Sequence, residues 1–391
     1  MNVKNKIYNQ MYSIVRLRWN ISYRLKHKLQ LRRFRKGGFS FAKCEREDEF
    51  IQKWKVLYKY PSIDDYRFYA SFIGEDPNIL PDDLFHIIVE PTLNSQNALS
   101  LFSDKNLYDK LVDDKAFPVC LLRNIDGDYF DSKYKLLNSF DGAAFNAIVL
   151  NNAALMSQNR FIIKPTVDSC GGNGVRLFKL TEKGDWRNDD GITLSFNKLI
   201  ELYHSNFVIQ ECVEPSEFVK QFNPESYNTF RVITYRSVID DEPKLLGFYM
   251  RIGVKGSFKD NVHSGGFVCP VGKDGKLFHY ALDGQRKRHS VVNGINLENG
   301  DYQVPNYGTI IDFVFQISRK MLLQRLLSFD IILDENNQPR IIEINIKNQT
   351  IMTIQTTTGT FFGELTDEVI EYCRTHKDKI CYESVFRKLN K

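Results

Sequence analysis

Ser328-Phe329-Asp330-Ile331-Ile332-Leu333, the polar turn Asp334-Glu335-Asn336-Asn337, and Arg340-Ile341-Ile342-Glu343-Ile344-Asn345 form the stretch from which the chain is read. Two β-branched apolar runs around an Asp- and Asn-rich turn predict a β-hairpin. Side chains alternate faces along a strand, so Glu343 and Asn345 point one way and Asp330 can join them across the turn. Two carboxylates and an amide oxygen at one point suit Mg²⁺, which keeps some waters and holds phosphate oxygens. The competing reading is an edge hairpin with a polar outward face. The rest of the chain decides between them.

The 391 residues are 42% hydrophobic and 13% aromatic, as in a folded globular chain. No apolar run is long enough to span a membrane, and the N-terminus lacks the apolar core of a secretory signal. Seven cysteines without a C-x-x-C pair fit reduced thiols and a cytoplasmic protein. Charge is unevenly placed. Residues 1–44 hold twelve Lys or Arg and no Asp or Glu, leaving 41 basic against 48 acidic residues elsewhere. Residues 1–36 combine this charge with apolar residues at roughly helical spacing, and Gly37-Gly38 ends the run. Such a helix fits an anionic membrane surface at the inner face of the membrane, an acidic partner, or packing on the body. Nucleic acid is disfavoured, because no reading motif accompanies the charge.

In chain order, Phe50–Tyr60 reads as a helix, and Ile87–Asn94 is ambiguous between strand and linker. Ser103–Leu111 starts a capped helix, Val119–Leu122 a strand before the turn Asp126-Gly127-Asp128, and residues 142–156 an amphipathic helix. Phe161-Ile162-Ile163-Lys164-Pro165 is a short buried strand ending in a lysine. It leads into Asp168-Ser169-Cys170-Gly171-Gly172-Asn173-Gly174 and a second strand. A glycine-rich loop there lets backbone N–H groups approach phosphate oxygens, and Lys164 adds a point charge. Neither P-loop nor Rossmann spacing is met; an ordinary Gly-rich hairpin is the alternative. Phe207–Gln210 is a strand running into Glu211-Cys212-Val213-Glu214, whose backbone can face an adenine edge, with an acid nearby for ribose hydroxyls. Arg231 and Arg251 sit on apolar strands, where a guanidinium needs an anion. That anion is either a substrate's or a structural partner's. Residues 255–267 have the composition of a mobile cover. A helix at 309–326 leads into the metal hairpin, and helices at 366–373 and 382–389 close the chain.

The order of these motifs resembles the ATP-grasp superfamily, and most closely its sugar-transfer-associated proteins, over roughly residues 85 to 370. The resemblance implies an α+β ATP-grasp fold, two lobes with antiparallel sheets gripping ATP, preceded by the basic helix and a small lobe. The expected divisions are 1–38, 39–100, 101–375 and a C-terminal helix at 376–391. It further implies that Lys105 and Lys164 reach ATP phosphates under a loop of Gly171, Gly172, Asn173 and Gly174. Gln210, Glu211, Cys212 and Val213 would read adenine, and Glu217 would bind ribose. Asp330, Glu343 and Asn345 would hold Mg²⁺. Asn261, Ser264, Gly265 and Gly266 resemble a substrate loop of ATP-grasp glutamate ligases. Ser328 stands where many such ligases have an arginine, so Arg231 and Arg251 become the candidates to neutralise an acyl-phosphate. The implied activity is ATP- and Mg²⁺-dependent ligation of a small-molecule carboxylate to an amine or sugar substrate for a surface polysaccharide. A hydroxyl kinase and an ATP-binding scaffold are the alternatives.

Overall fold

The computed structural model describes residues 3–95, 102–112, 116–167, 172–257 and 260–377. Two antiparallel sheets carry the architecture. The first is built from β1 (Cys120–Ile125), β2 (Asp128–Asp131), β3 (Arg160–Pro165), β4 (Arg176–Leu180), β5 (Trp186–Asn188) and β6 (Phe207–Glu211), in the order β2-β1-β6-β3-β4-β5. The second contains β7 (Phe230–Arg236), β8 (Pro243–Ile252), β9 (Phe267–Pro270), β10 (Ala281–Leu282) and β11 (Arg288–His289). A small separate ribbon, β12 (Val291–Val292) and β13 (Ile295–Asn296), precedes its last strands, β14 (Leu326–Leu333) and β15 (Pro339–Asn345). Its order is β11-β10-β9-β8-β7-β14-β15.

Each sheet packs an apolar face on helices of its own. Phe161, Phe178, Phe207 and Ile209 of the first sheet pack on Phe145, Leu155 and Leu199. Phe230, Val232, Phe248, Phe329 and Ile331 of the second pack on Ile310, Val314 and Ile317 of the helix Tyr307–Lys320. The opposite face of the second sheet begins with a third core. There Ile233, Tyr235, Tyr249 and Leu326 meet the N-terminal helices α1 (Val3–Lys36), α2 (Glu47–Trp54) and α3 (Ile63–Ile73). Residues 351–373 complete it, so the expected small lobe shares its core with the end of the chain.

Several elements depart from expectation. Residues 82–93 are helical rather than strand or linker, because Leu84 through Glu90 are buried on every side in the third core. The helix expected at 309–326 stops at Lys320, six residues early. Asn94 explains this: its amide accepts from the Leu326 N–H (2.9 Å) and donates to the Leu326 carbonyl (2.7 Å), drawing Leu326 into β14. The helix expected at 50–60 ends at Trp54, and that at 142–156 is interrupted at Asn151-Asn152. The helix expected at 382–389 lies outside the described residues.

The third core presses closely on β8. A Cβ on Gly247 would sit 2.4 Å from Ile354 Cδ1. Gly247→Ala is therefore expected to destabilise the protein by about 1–3 kcal/mol, the usual cost of overpacking. Adding Ile354→Ala should recover part of that loss. Denaturant midpoints of the two single variants and the double variant measure the coupling; strict additivity would refute the contact.

Candidate functional site

β14 is not an edge strand. It lies between β7 and β15, every one of its residues is buried, and yet it carries Asp330. The register pairs Asp330 with Glu343 on one side and with Arg231 on the other, while Ser328 pairs with Asn345. Cross-strand partners share a face, so the three expected metal ligands and Arg231 project together. The Arg231 fork closes on Asp330 through Nε–Oδ1 (2.6 Å) and Nη2–Oδ2 (2.8 Å), and Arg251 Nη2 reaches the same Oδ2 at 3.1 Å. Burial alone would raise the Asp330 pKa, but the two guanidiniums hold it below the ordinary carboxylate value. The anion that these strand arginines need is the site's own acid.

The helical turn Lys105–Leu107 and strand β3 supply two more cations. Lys105 Nζ pairs with Glu343 Oε1 at 2.8 Å. It is positioned by Asp104, which caps its helical turn, and by its own N–H on the Thr166 carbonyl (3.1 Å). Lys164, at the end of β3, donates to the Ile342 carbonyl (3.2 Å), and no ion pair to it occurs among the described residues. Its ammonium is buried and lies near Lys105; burial first, then that charge, lowers its pKa from 10.5 to about 8. Two lysines and two arginines thus gather round Asp330 and Glu343 where the sheets touch. Asp260 is the next acid, 3.7 Å from Arg251.

Asp330, Glu343 and Asn345 offer hard oxygens, but among the described residues no three His, Cys, Asp or Glu side chains form a preformed metal cluster. Three of roughly four acceptor directions on Asp330 are taken by arginine N–H groups. The set fits an ion that arrives with polyphosphate and retains waters, rather than one bound beforehand.

Beside the hinge formed by residues 211–214 at the end of β6, a cleft of about 690 Å³ is lined by Arg160, Glu211, Cys212, Val213, Glu214 and the hairpin residues Asp334 and Arg340. It stops short of Lys164 and Asp330. Gln210 is buried within β6, and the Glu211 N–H is already donated to the Val119 carbonyl (3.0 Å). Cys212 and Val213 remain as the backbone facing the cleft. Glu217 lies outside it, exposed and paired with Lys220, whereas Glu214 lines it and pairs with Arg160 and Lys220. Gly171 lies outside the described residues; Gly172, Asn173 and Gly174 form the turn into β4. Gly174 has φ +74°, and a Cβ there would come within 2.7 Å of Pro165 Cγ, so the loop closes on the end of β3 only without a side chain.

The expected substrate loop joins the arginines at its base. Asn261 Oδ1 lies 3.4 Å from Arg251 Nη1. Asp260 is buried and accepts from the Thr229 N–H (2.7 Å), while Thr229 Oγ1 accepts from Arg251 Nε (2.9 Å). A Cβ on Gly266 would lie 2.7 Å from the Asp260 carbonyl. Ser264 and Gly265 are exposed. Asp260 and Thr229 orient Arg251 and were not singled out from the sequence. Their adjacency to Asn261 and Arg231 was the available signal.

A family model described as sugar-transfer associated ATP-grasp matches residues 85–369. No curated protein sequence matches the chain. Among solved structures, the chain is similar to the ATP-grasp ligase PsnB complexed with precursor peptide PsnA2 and AMPPNP, at 14% identity over 72% of this chain and 62% of that one, TM-score 0.38. It is also similar to N5-carboxyaminoimidazole synthetase from Staphylococcus aureus (11% identity, 72% and 54%, TM-score 0.38). A third is D-alanine-D-alanine ligase from Coxiella burnetii (10%, 76% and 64%, TM-score 0.38). The chain spans less than two thirds of the length of each.

Lys164 makes a prediction about stability. Its lowered pKa means that folding disfavours its protonated form, a cost on the order of 3 kcal/mol at pH 7. That cost is fully present below about pH 8 and fades as pH rises towards 10.5. Lys164→Met should therefore be more stable than wild type at pH 7 without ligand, with the gain roughly halved by pH 9.5. Paired denaturation curves at the two pH values test this; a destabilised variant at pH 7 would contradict it.

Proposed function

The chain belongs to the sugar-transfer associated ATP-grasp family, and from that premise we propose that it is a ligase that activates a carboxylate with ATP for attack by an amine. The convergence of Lys105, Lys164, Arg231 and Arg251 on Asp330 and Glu343 carries the reading. Such an excess of fixed cations suits a polyphosphate and the anion formed from it.

The substrate carboxylate oxygen attacks the γ-phosphorus, the bond to the β-bridging oxygen breaks, and ADP leaves. The amine then attacks the acyl carbon and phosphate departs, with loss of one amine proton. Lys164 and Lys105 hold the phosphates, and adenine lies beside Cys212 and Val213. Arg231 and Arg251 stabilise charge on the transferring phosphoryl group, held at a fixed angle by Asp330 and Thr229. Asp330, Glu343 and Asn345 would hold Mg²⁺, which neutralises phosphate charge when bound. The family's association with sugar transfer supports a substrate carried on a surface glycan. Phosphate release should require ATP, Mg²⁺, a carboxylate and an amine together. Glu343→Gln should abolish it while the protein still unfolds in a single cooperative transition, with some loss of melting temperature from unpairing Lys105. ADP formation on a hydroxyl substrate without free phosphate would identify a kinase instead.

A second surface supports peripheral membrane contact. Ile14, Leu17, Ile21, Leu25 and Leu29 form an exposed apolar stripe along α1, opposite the face that packs on the body through Tyr23, His27, Leu31 and Phe34. Among the described residues no helix is long and apolar enough to cross a membrane. With no acidic residue in 1–44, a second copy of α1 would be repelled and an anionic lipid surface attracted. Deleting α1 would unpair the buried carboxylates of Asp65 and Asp82 from His27, so substitution is the cleaner test. Wild type should float with phosphatidylserine vesicles, less so as salt rises. Leu17→Gln, Ile21→Gln and Leu25→Gln together should prevent it. Equal flotation of both proteins would refute the contact.

A further inference from the structure

The turn between β10 and β11 presents an arginine that the site described above does not use. Asp283 Oδ1 accepts from the N–H groups of Gln285 (2.8 Å) and Lys287 (3.0 Å), and Oδ2 lies 3.0 Å from His289 Nε2. Within this braced turn Arg286 adopts φ +65°, which side chains rarely do. Its side chain runs inward, where Nη1 donates to Thr353 Oγ1 (3.2 Å). Nε is buried without a hydrogen-bond partner, and among the described residues no carboxylate lies within ion-pair distance. Tyr69, Tyr249, Asp283 and Asp82 are its principal electrostatic neighbours. Burial without a paired anion lowers its pKa. The residue as a whole is half-buried, and of its guanidinium nitrogens only Nε is both shut off from solvent and without a partner. A strained turn holding an unpaired cation in the interior is costly unless a ligand completes it.

Its position ties it to the site. Tyr249 pairs directly with Arg231 across β7 and β8, and Arg251 follows two residues later on the same face. The turn also abuts the expected substrate loop, since a Cβ on Gly284 would lie 3.3 Å from Val262 Cγ1. Arg286 therefore lies one residue beyond the arginines that face the reacting group, on the side of the Asn261 loop rather than the nucleotide hinge.

We infer that Arg286, with Thr353, binds a second acidic group on the substrate, a carboxylate or a phosphate ester, apart from the carboxylate activated at Arg231 and Arg251. The inference deepens the ligase reading and rests on it. A planar fork with free N–H groups matches either anion in a bidentate manner. The competing role is structural: a distant counter-charge to the buried carboxylates Asp65, Asp82 and Asp83, which already have His27 and Arg24.

Full-length protein saturated with Mg²⁺ and a non-hydrolysable ATP analogue, so that the phosphate site is filled, separates these possibilities. Succinate and glycerol 3-phosphate serve as probes, with acetate and glycerol as their singly charged and neutral counterparts, and the response is read by titration calorimetry and thermal shift. Succinate binding distinguishes a second carboxylate, and glycerol 3-phosphate binding a phosphate ester. Arg286→Met should weaken the responding probe by roughly ten- to a hundredfold, the usual loss of a charged hydrogen-bonding partner. It should keep the nucleotide response and melt no lower than wild type in ligand-free buffer. If Arg286→Met does not fold, Arg286→Lys, which keeps the charge and loses the fork, supports the same comparison. An unchanged probe response in the variant, or no response to either probe in nucleotide-loaded wild type, overturns the inference alone. Absence of nucleotide binding to wild type would instead overturn the ligase reading beneath it.

Discussion

The clamp of Arg231 and Arg251 on Asp330 is the interaction on which the site depends. A carboxylate on a strand buried on both faces cannot stay ionised in an apolar environment without compensation. Here the compensation comes from the next two strands of the same sheet, β7 and β8, so the β7-β8 and β7-β14 registers and the charge pairing specify one another. A slip of one residue in β14 would turn Asp330 into the core behind the sheet and leave two guanidiniums facing nothing. The clamp also fixes the planes of both arginines before any substrate arrives, as electrostatic catalysis requires.

Around that clamp the protein accepts local instability. Lys164 is buried with only a carbonyl as partner, and Lys105 shares Glu343 with any metal that arrives. Four cations face two acids directly, with Asp260 behind Arg251. Positive side chains outnumber the acids they face, an excess that suits the anion proposed above. It is tolerated because three large apolar cores lie immediately around it.

The N-terminal helix divides its two faces between packing and solvent. α1 carries two apolar stripes on opposite sides, which is why it has little net amphipathic direction despite many apolar residues. One stripe, centred on His27 and Leu31, is committed to the third core, and His27 reaches Asp65 and Asp82 there. The other is open and surrounded by positive charge. Both sequence-based readings of this segment, packing on the body and a free basic surface, apply to different faces of one helix.

By itself, the sequence determined the hairpin, the order of the motifs around it and the face shared by Asp330, Glu343 and Asn345. These follow from local rules: β-branched runs, turn residues and the two-residue alternation of a strand. Arg231 and Arg251 could be recognised as needing an anion because each sits in an apolar run. Only the tertiary structure decided that the anion is Asp330, since that choice depends on pairing strands about a hundred residues apart in the chain. It also decided that Glu214 rather than Glu217 faces the hinge cleft, that Asp260 braces Arg251, and that Arg286 runs inward to Thr353 with no carboxylate paired to it among the described residues. None of these has a local signature. A side chain's partner, or its lack of one, is set by which segments the cores press together, and that is a property of the packed whole.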